Sequence, residues 1–156
     1  AASAFLTKAI LVPAILYRAL GKVGQSAPSL NTVSTPVSVL LAALAVVVSF
    51  TVVNQIELKS AADFIPALAI SVAHFFFGQL CIVTQRNIFK QILGFCLMEN
   101  GSHLTLALLA YRAPELVEIG IATDAVFAVI ILVLLAGQIY KKLHTLDSAE
   151  LQTLKG

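Results

Sequence analysis

The chain has no tryptophan, one methionine, three tyrosines and two cysteines, and Asp, Glu, Lys and Arg together supply only 12% of its residues. Each shortage removes a class of protein. Charge this sparse, beside 59% hydrophobic residues and a mean hydropathy of +0.95, excludes a water-soluble domain. A net charge of +2 is too small to imply nucleic-acid binding, and the basic residues fall in loops, where a membrane surface alone accounts for them. Cys81 and Cys96 sit inside apolar runs, in neither a C-x-x-C nor a Cys/His spacing. That spacing indicates neither a disulfide framework nor a metal site, and the two read as inert buried thiols. No cofactor and no metal are expected. No signal-peptide pattern is present; the chain starts at Ala1, already within an apolar run, which points to an upstream portion.

What the chain has instead is long apolar runs. Candidate spans cover Ala1 to Tyr17, Pro36 to Ile56, Asp63 to Val83, Ile88 to Tyr111 and Val117 to Tyr140. Stretches such as VLLAALAVVVSF and VFAVIILVLLAG are continuously apolar, so the strict alternation of a β-barrel strand is missing. The expected fold is all-α, a polytopic membrane protein of about five transmembrane helices in one membrane domain over residues 1–156. Within it, residues 1–70 hold the N-terminal helices and a loop, 71–140 a three-helix unit and 141–156 a tail. The segment GKVGQSAPSLNTVSTP, rich in Gly, Ser, Thr, Asn and Pro, reads as the loop between the first two spans. Asp63 is placed to cap the third helix, with Pro66 in its first turn, and Pro114 with Glu115 to start the fifth. The tail, with Asp147 and Ser148 before a short amphipathic run, reads as a surface segment.

Orientation follows from Lys and Arg. One set of loops holds Arg18, Lys22, Arg86, Lys90, Lys141, Lys142 and Lys155, and the opposite set only Lys59 and Arg112. This excess places the first set, and the C-terminus, in the cytoplasm of a prokaryotic cell whose inner membrane the protein crosses several times.

Four apolar stretches carry an ionisable residue far from their ends: Lys8, His74, Glu99 and Asp124. A bare charge at the centre of a membrane helix costs roughly 2.5 to 3.5 kcal/mol on insertion scales, so it marks an ion or proton path by default. At about 1.5 Å rise per residue, Lys8 lies roughly 13 Å from the cytoplasmic end of its span and Asp124 about 10 Å from the outer end of its own. His74 and Glu99 fall near the midpoints. Glu99 has Asn100 beside it and His103 four residues on, on the same helical face, where acid and imidazole are placed to share a proton. Gly94 and Gly101 thin the same helix and invite a neighbour to approach. Asp124 follows the small residues Gly120, Ala122 and Thr123 and reads as facing protein; Glu118, nearer the outer interface, reads as a channel-mouth acid or a solvated carboxylate. Lys8 reads as a switchable cation tuning a facing carboxylate, or as a static ion pair with Glu99 or Asp124. His74, beside three phenylalanines in SVAHFFFGQ, reads as a relay member or as a packing residue.

From Ser71 onward the chain resembles a known three-helix unit, the small NuoK-type subunit of respiratory complex I and of multisubunit cation/proton antiporters. The landmarks are an apolar helix ending in TQRN (Thr84 to Asn87), a following helix with LGFCLMEN (Leu93 to Asn100), and an acid early in the last apolar run, Asp124. Nearly the whole chain resembles the longer hydrogenase-4 component E (HyfE) family of membrane-bound hydrogenase and formate hydrogenlyase complexes. The matching elements are TKAILVPAIL with Lys8, QILGFCLMENG with Glu99, ELVEIGIATDAV with Glu118 and Asp124, and the closing LDSAELQTLKG.

That resemblance implies a non-catalytic subunit wedged between large antiporter-like membrane subunits and a helper membrane subunit, without a redox site of its own. It implies that Glu99 and Asp124 take the roles of the membrane acids along which protons, or sodium ions, move. Two departures stand out. Glu99 lies about one turn beyond the position of the NuoK-type glutamate, which keeps it on the same face; and component E proteins carry further N-terminal helices. Two other functions compete: a structural spacer without ion conduction, and a stand-alone small multidrug-type transporter. The second relies on Trp and Tyr around its acid, whereas Tyr17, Tyr111 and Tyr140 sit here at span ends as interfacial belt residues.

Overall fold

The computed structural model describes residues 6–23, 31–56, 64–110 and 114–151. A π-helical turn, Leu6–Leu11, leads into α1 (Val12–Val23); α2 (Thr35–Gln55), α3 (Ile65–Thr84), α4 (Ile88–Leu109), α5 (Pro114–Leu143) and the short α6 (Ser148–Leu151) follow. The fold is all-α and polytopic, as the apolar runs require. Among the described residues, four helical stretches are long and apolar enough to cross a membrane: Thr35–Gln55, Ile65–Thr84, Ile88–Leu109 and Val126–Leu143. The first expected span is helical over its described residues, as the π-helical turn and α1, but is not among these four.

The helix ends show where local chemistry differs from the sequence expectation. The first helix runs on past Tyr17 to Val23 and takes in Gly21, which was expected in the loop; the exposed Arg18 suits this because a long cationic side chain continues a helix through a membrane interface. Pro13, one residue into α1, has no N–H to donate to the carbonyl four residues back. The preceding residues Leu6–Leu11 are wound in the wider π form, and Lys8 lies on that turn. Helix α3 starts after Phe64, which provides no side-chain cap, with Pro66 in the first turn; the expected cap, Asp63, lies outside the described residues, as do Lys59, Tyr111, Arg112 and Lys155. Helix α5 begins at Pro114, as its fixed φ favours.

The helices pack in sequence, α2 on α3, α3 on α4 and α4 on α5, and α1 closes against α5. Two apolar cores result. One joins Val12 and Leu16 of α1, Phe89 and Ile92 of α4, and Val129 and Ala136 of α5 with Leu146 of the tail. The other joins Val53 of α2 to Leu68 and Ala69 of α3. Helix α2 is apolar all round and buries only Ser49 and Val53, a surface suited to lipid or to another protein rather than water.

The α3–α4 seam is the tightest contact. A Cβ on Gly78 would strike the backbone of Met98, and one on Gly101 would strike the backbone of Phe75 and, at 2.8 Å, the carbonyl of Ser71. A Cβ on Gly94 would stand 3.0 Å from the Gly78 carbonyl. Small residues let the backbones meet, which is how helices associate in lipid without a hydrophobic driving force between them. The Ser71 and Thr105 hydroxyls meet across the same seam at 2.8 Å.

The turn TQRN gathers three chain segments. Asn87 caps α4 through its side chain, accepting from the Phe89 and Lys90 amides. The Thr32 amide donates to the Thr84 carbonyl at 2.8 Å. On the other side the tail docks. Arg86 donates from Nε to Asp147 Oδ1 at 3.0 Å, with its Nη2 2.8 Å from Oδ2, a two-point carboxylate clamp. Backbone bonds from Ile88 to Leu146 and from Ser148 to Arg86 fix the tail further. Leu146 and Asp147 are buried, so this part of the tail is a docked latch rather than the free surface segment expected.

Candidate functional site

Helix α4 carries two stripes of different character. Gly94, Met98, Gly101 and Thr105 recur at helical spacing and face α3. Cys96, Glu99, Asn100 and His103 form a second stripe on roughly the opposite side, facing the π-helical turn and α5. The glycine stripe fixes the azimuth of α4, and the polar stripe is thereby aimed.

Lys8 reaches into that stripe from the π-helical turn. Its ammonium donates to Asn100 Oδ1 at 2.7 Å and lies 2.7 Å from His103 Nδ1. An ammonium has donors only, so Nδ1 accepts, and the imidazole's own proton is assigned to Nε2. The same Nδ1 is 3.6 Å from Glu99 Oε1, close but beyond a hydrogen bond. Glu99 is 7% exposed, and its Oε1 is buried with no hydrogen-bond partner. Among the described residues this carboxylate oxygen therefore has no hydrogen-bond partner, beside an imidazole that a lysine already engages. The direct Lys8–Glu99 or Lys8–Asp124 ion pair weighed from the sequence is not what forms; Lys8 bonds to the amide and imidazole of α4 instead.

Asp124 approaches from α5. Glu99, His103 and Asp124 each bring one oxygen or nitrogen to within 4.8 Å of the others. Their donor set is one a cation accepts, but the Lys8 ammonium against His103 already supplies positive charge there. Asp124 itself is exposed in the isolated chain, so the cluster is closed by protein on the α4 side and open beside α5.

His74 does not join this group. It is half-buried on α3, level with Gly101, whose neighbour across the seam is Phe75. Its side chain forms no hydrogen bond or ion pair with the cluster. The backbone of Glu118 lies in α5, and its side chain lies outside the described residues. The residue that sequence reasoning passed over is Asn100, which holds Lys8 in place; its position next to Glu99 in MEN was the available signal. A cavity of about 410 Å³ runs from Lys8, Glu99 and Asn100 past Cys96 and Leu93 to Tyr17 and Leu20 of α1. It joins the buried cluster to the end of the bundle that bears Arg18.

Fold and site together define a small multi-pass membrane protein with an ionisable cluster among its helices. The family model for NADH-ubiquinone/plastoquinone oxidoreductase chain 4L matches residues 66–156. Hydrogenase-4 component E of Escherichia coli K12 and that of Shigella flexneri are each 55% identical to this chain, over 99% of it and 72% of their own length. An uncharacterized protein of Mycobacterium tuberculosis is 26% identical over 95% of the chain and 68% of its own length. No solved structure matches. The chain belongs to the hydrogenase-4 component E family and carries the chain 4L unit over residues 66–156.

Proposed function

We propose that this chain is a non-catalytic membrane subunit of a proton-translocating hydrogenase or formate hydrogenlyase type complex in a prokaryotic inner membrane, with its C-terminus cytoplasmic. Glu99 takes up and releases the proton, His103 passes it, and Lys8 biases the exchange. Large antiporter-like subunits and a helper membrane subunit flank the chain and cover the open side of Asp124, which continues the path.

One observation carries this reading: Lys8, Glu99, His103 and Asp124 come from three separate segments of the chain and converge at one depth. His103 Nδ1 faces an ammonium at 2.7 Å and a carboxylate oxygen at 3.6 Å. A small rotation of the imidazole takes Nδ1 from one partner to the other. When Lys8 gives up a proton to Nδ1, the charged imidazole is placed to donate it to Glu99, and Asp124 offers the next acceptor. Lys8 then takes its next proton from solvent through the cavity of about 410 Å³ that it lines, which closes the cycle. Protons are favoured over sodium because, before it transfers its proton, the Lys8 ammonium beside His103 repels a metal cation from the same oxygens.

The test is Glu99→Gln in the assembled complex, with proton uptake followed in inverted membrane vesicles and redox turnover measured alongside. The relay predicts intact assembly and a fall in proton uptake of at least about tenfold. A structural spacer predicts poor assembly or no change, so undiminished uptake by a fully assembled Glu99→Gln complex would remove the relay.

A further inference from the structure

A second cleft, of about 460 Å³, lies between α1 and the C-terminal part of α5. It shares no lining residue with the Lys8–Glu99 cavity. Its walls are apolar along Leu134 and Gly137, and its rim is formed by Arg18, Gln138, Tyr140 and Lys141. No acidic residue among the described ones lines it. Neither Arg18 nor Lys141 forms an ion pair among the described residues. Asp147, the acid docked at the same end, is already clamped by Arg86. Two unneutralised cations therefore stand above an apolar trough that opens beside α5.

Those features specify an occupant. A phosphate with one negative charge suits the space between a guanidinium and an ammonium, which bind oxyanions by fork and by point charge. Tyr140 and Gln138 offer neutral donors at the same level, where interfacial tyrosines meet lipid headgroups. Below them, Leu134 is 61% exposed, and Gly137 leaves open space, since a Cβ there would meet nothing within 4 Å. A charged head continuous with an apolar chain fits both parts; a free anion fits only the rim, and a protein helix does not account for the paired cations. Basic pockets between membrane helices on the cytoplasmic side bind anionic lipid headgroups for the same reason.

We propose that this cleft binds an anionic phospholipid, its phosphate between Arg18 and Lys141 and an acyl chain along Leu134 and Gly137. The site is independent of the proton relay and stands or falls separately.

The experiment uses the full chain extracted from its membrane in detergent and washed free of lipid. Phosphatidylglycerol or phosphatidylcholine with identical acyl chains is added, and retained lipid is counted by native mass spectrometry. Phosphatidylglycerol is retained at about tenfold lower concentration than phosphatidylcholine. The double substitution Arg18→Gln with Lys141→Gln weakens phosphatidylglycerol binding about thirtyfold, as expected for two cations near a membrane surface, and leaves phosphatidylcholine unchanged. Gly137→Phe keeps both cations, fills the trough and also expels the lipid, which separates a shaped site from loose charge attraction. Equal retention of the two lipids overturns the proposal. So does competition by millimolar inorganic phosphate, which would make this a free-anion site, or cross-linking of Leu134→Cys to a neighbouring subunit in the assembled complex, which would make it a protein interface.

Discussion

The two faces of α4 are built on opposite terms. Toward α3, glycine carries the contact: Gly78, Gly94 and Gly101 bring the two backbones together, and one hydroxyl pair bridges the seam. Toward α1 and α5, long side chains hold the helices apart. Lys8 spans the gap to Asn100 and His103, and a cavity of about 410 Å³ lies beside them. The tight face leaves no room for rearrangement, because packed backbones cannot yield without separating the helices. The loose face has room for a ring to turn and for water to enter. A buried acid needs both: a frame that holds it at one height and azimuth, and a neighbour on the other side that can change partners.

The sharpest break of that comparison is Gly78→Ala. One methyl group would be driven into the Met98 backbone, and relief requires the two helices to part. A cost of about 3 kcal/mol is expected, at the upper end of overpacking effects, read as a fall of about 10 °C in the thermal midpoint of the detergent-extracted protein. An unchanged midpoint would mean that the seam is looser than its geometry states.

Lys8→Met addresses the other face and is expected to separate transport from stability. It removes a half-buried cation while keeping a side chain of similar length, so the midpoint holds within about 1 kcal/mol of the parent or rises. Proton uptake in vesicles falls by about tenfold, because His103 then loses its proton donor and faces acids only. If Lys8→Met unfolds the protein as Gly78→Ala does, Lys8 is a structural strut and the contrast between the two faces is lost.

Much of this architecture can be read from residues alone, and the limit has a geometric cause. Height along a helix follows from counting residues at a fixed rise, so the common level of His74 and Glu99 was legible, and Phe75 does pack against Gly101. Azimuth is set by which neighbour packs where, and that depends on contacts distant in sequence. His74 shares the level of the cluster and forms no bond with it for this reason. The Glu99–His103 pairing was legible because both lie on one helix, one turn apart. The partners of Lys8 were not, since it joins residues more than ninety positions away. The same holds for the tail: LDSAEL reads as polar surface, and nothing local announces that Asp147 will meet Arg86.

That latch gives an intermediate prediction. Asp147→Asn keeps a side-chain oxygen for the Ala149 amide but gives up the charged clamp on Arg86. The half-exposed position of Arg86 limits the loss to about 1 to 2 kcal/mol. The measurement is limited proteolysis: the segment after Leu143 is cut faster in Asp147→Asn, while the α3–α4 hairpin stays protected. Equal cutting rates would mean that the backbone bonds at Ile88 and Ser148 hold the tail unaided.

The smallest effect tests whether glycine is used for closeness or merely present. Gly120 lies in α5, exposed, and a Cβ there would meet nothing within 4 Å. Gly120→Ala therefore carries no packing penalty within the chain, and alanine's greater helix propensity favours the folded state by roughly 0.5 to 1 kcal/mol. The same substitution at Gly78 has the opposite sign and a larger size, so the pair measures the seam with the side-chain chemistry held constant. The comparison becomes sharper when Gly120→Ala is repeated in the assembled complex. A gain in the isolated chain that turns into a loss on assembly locates a partner helix against the small-residue face of α5, on the side where Asp124 is open. A gain in both settings leaves that face to lipid, and the proposed path beyond Asp124 would then leave the chain at another level.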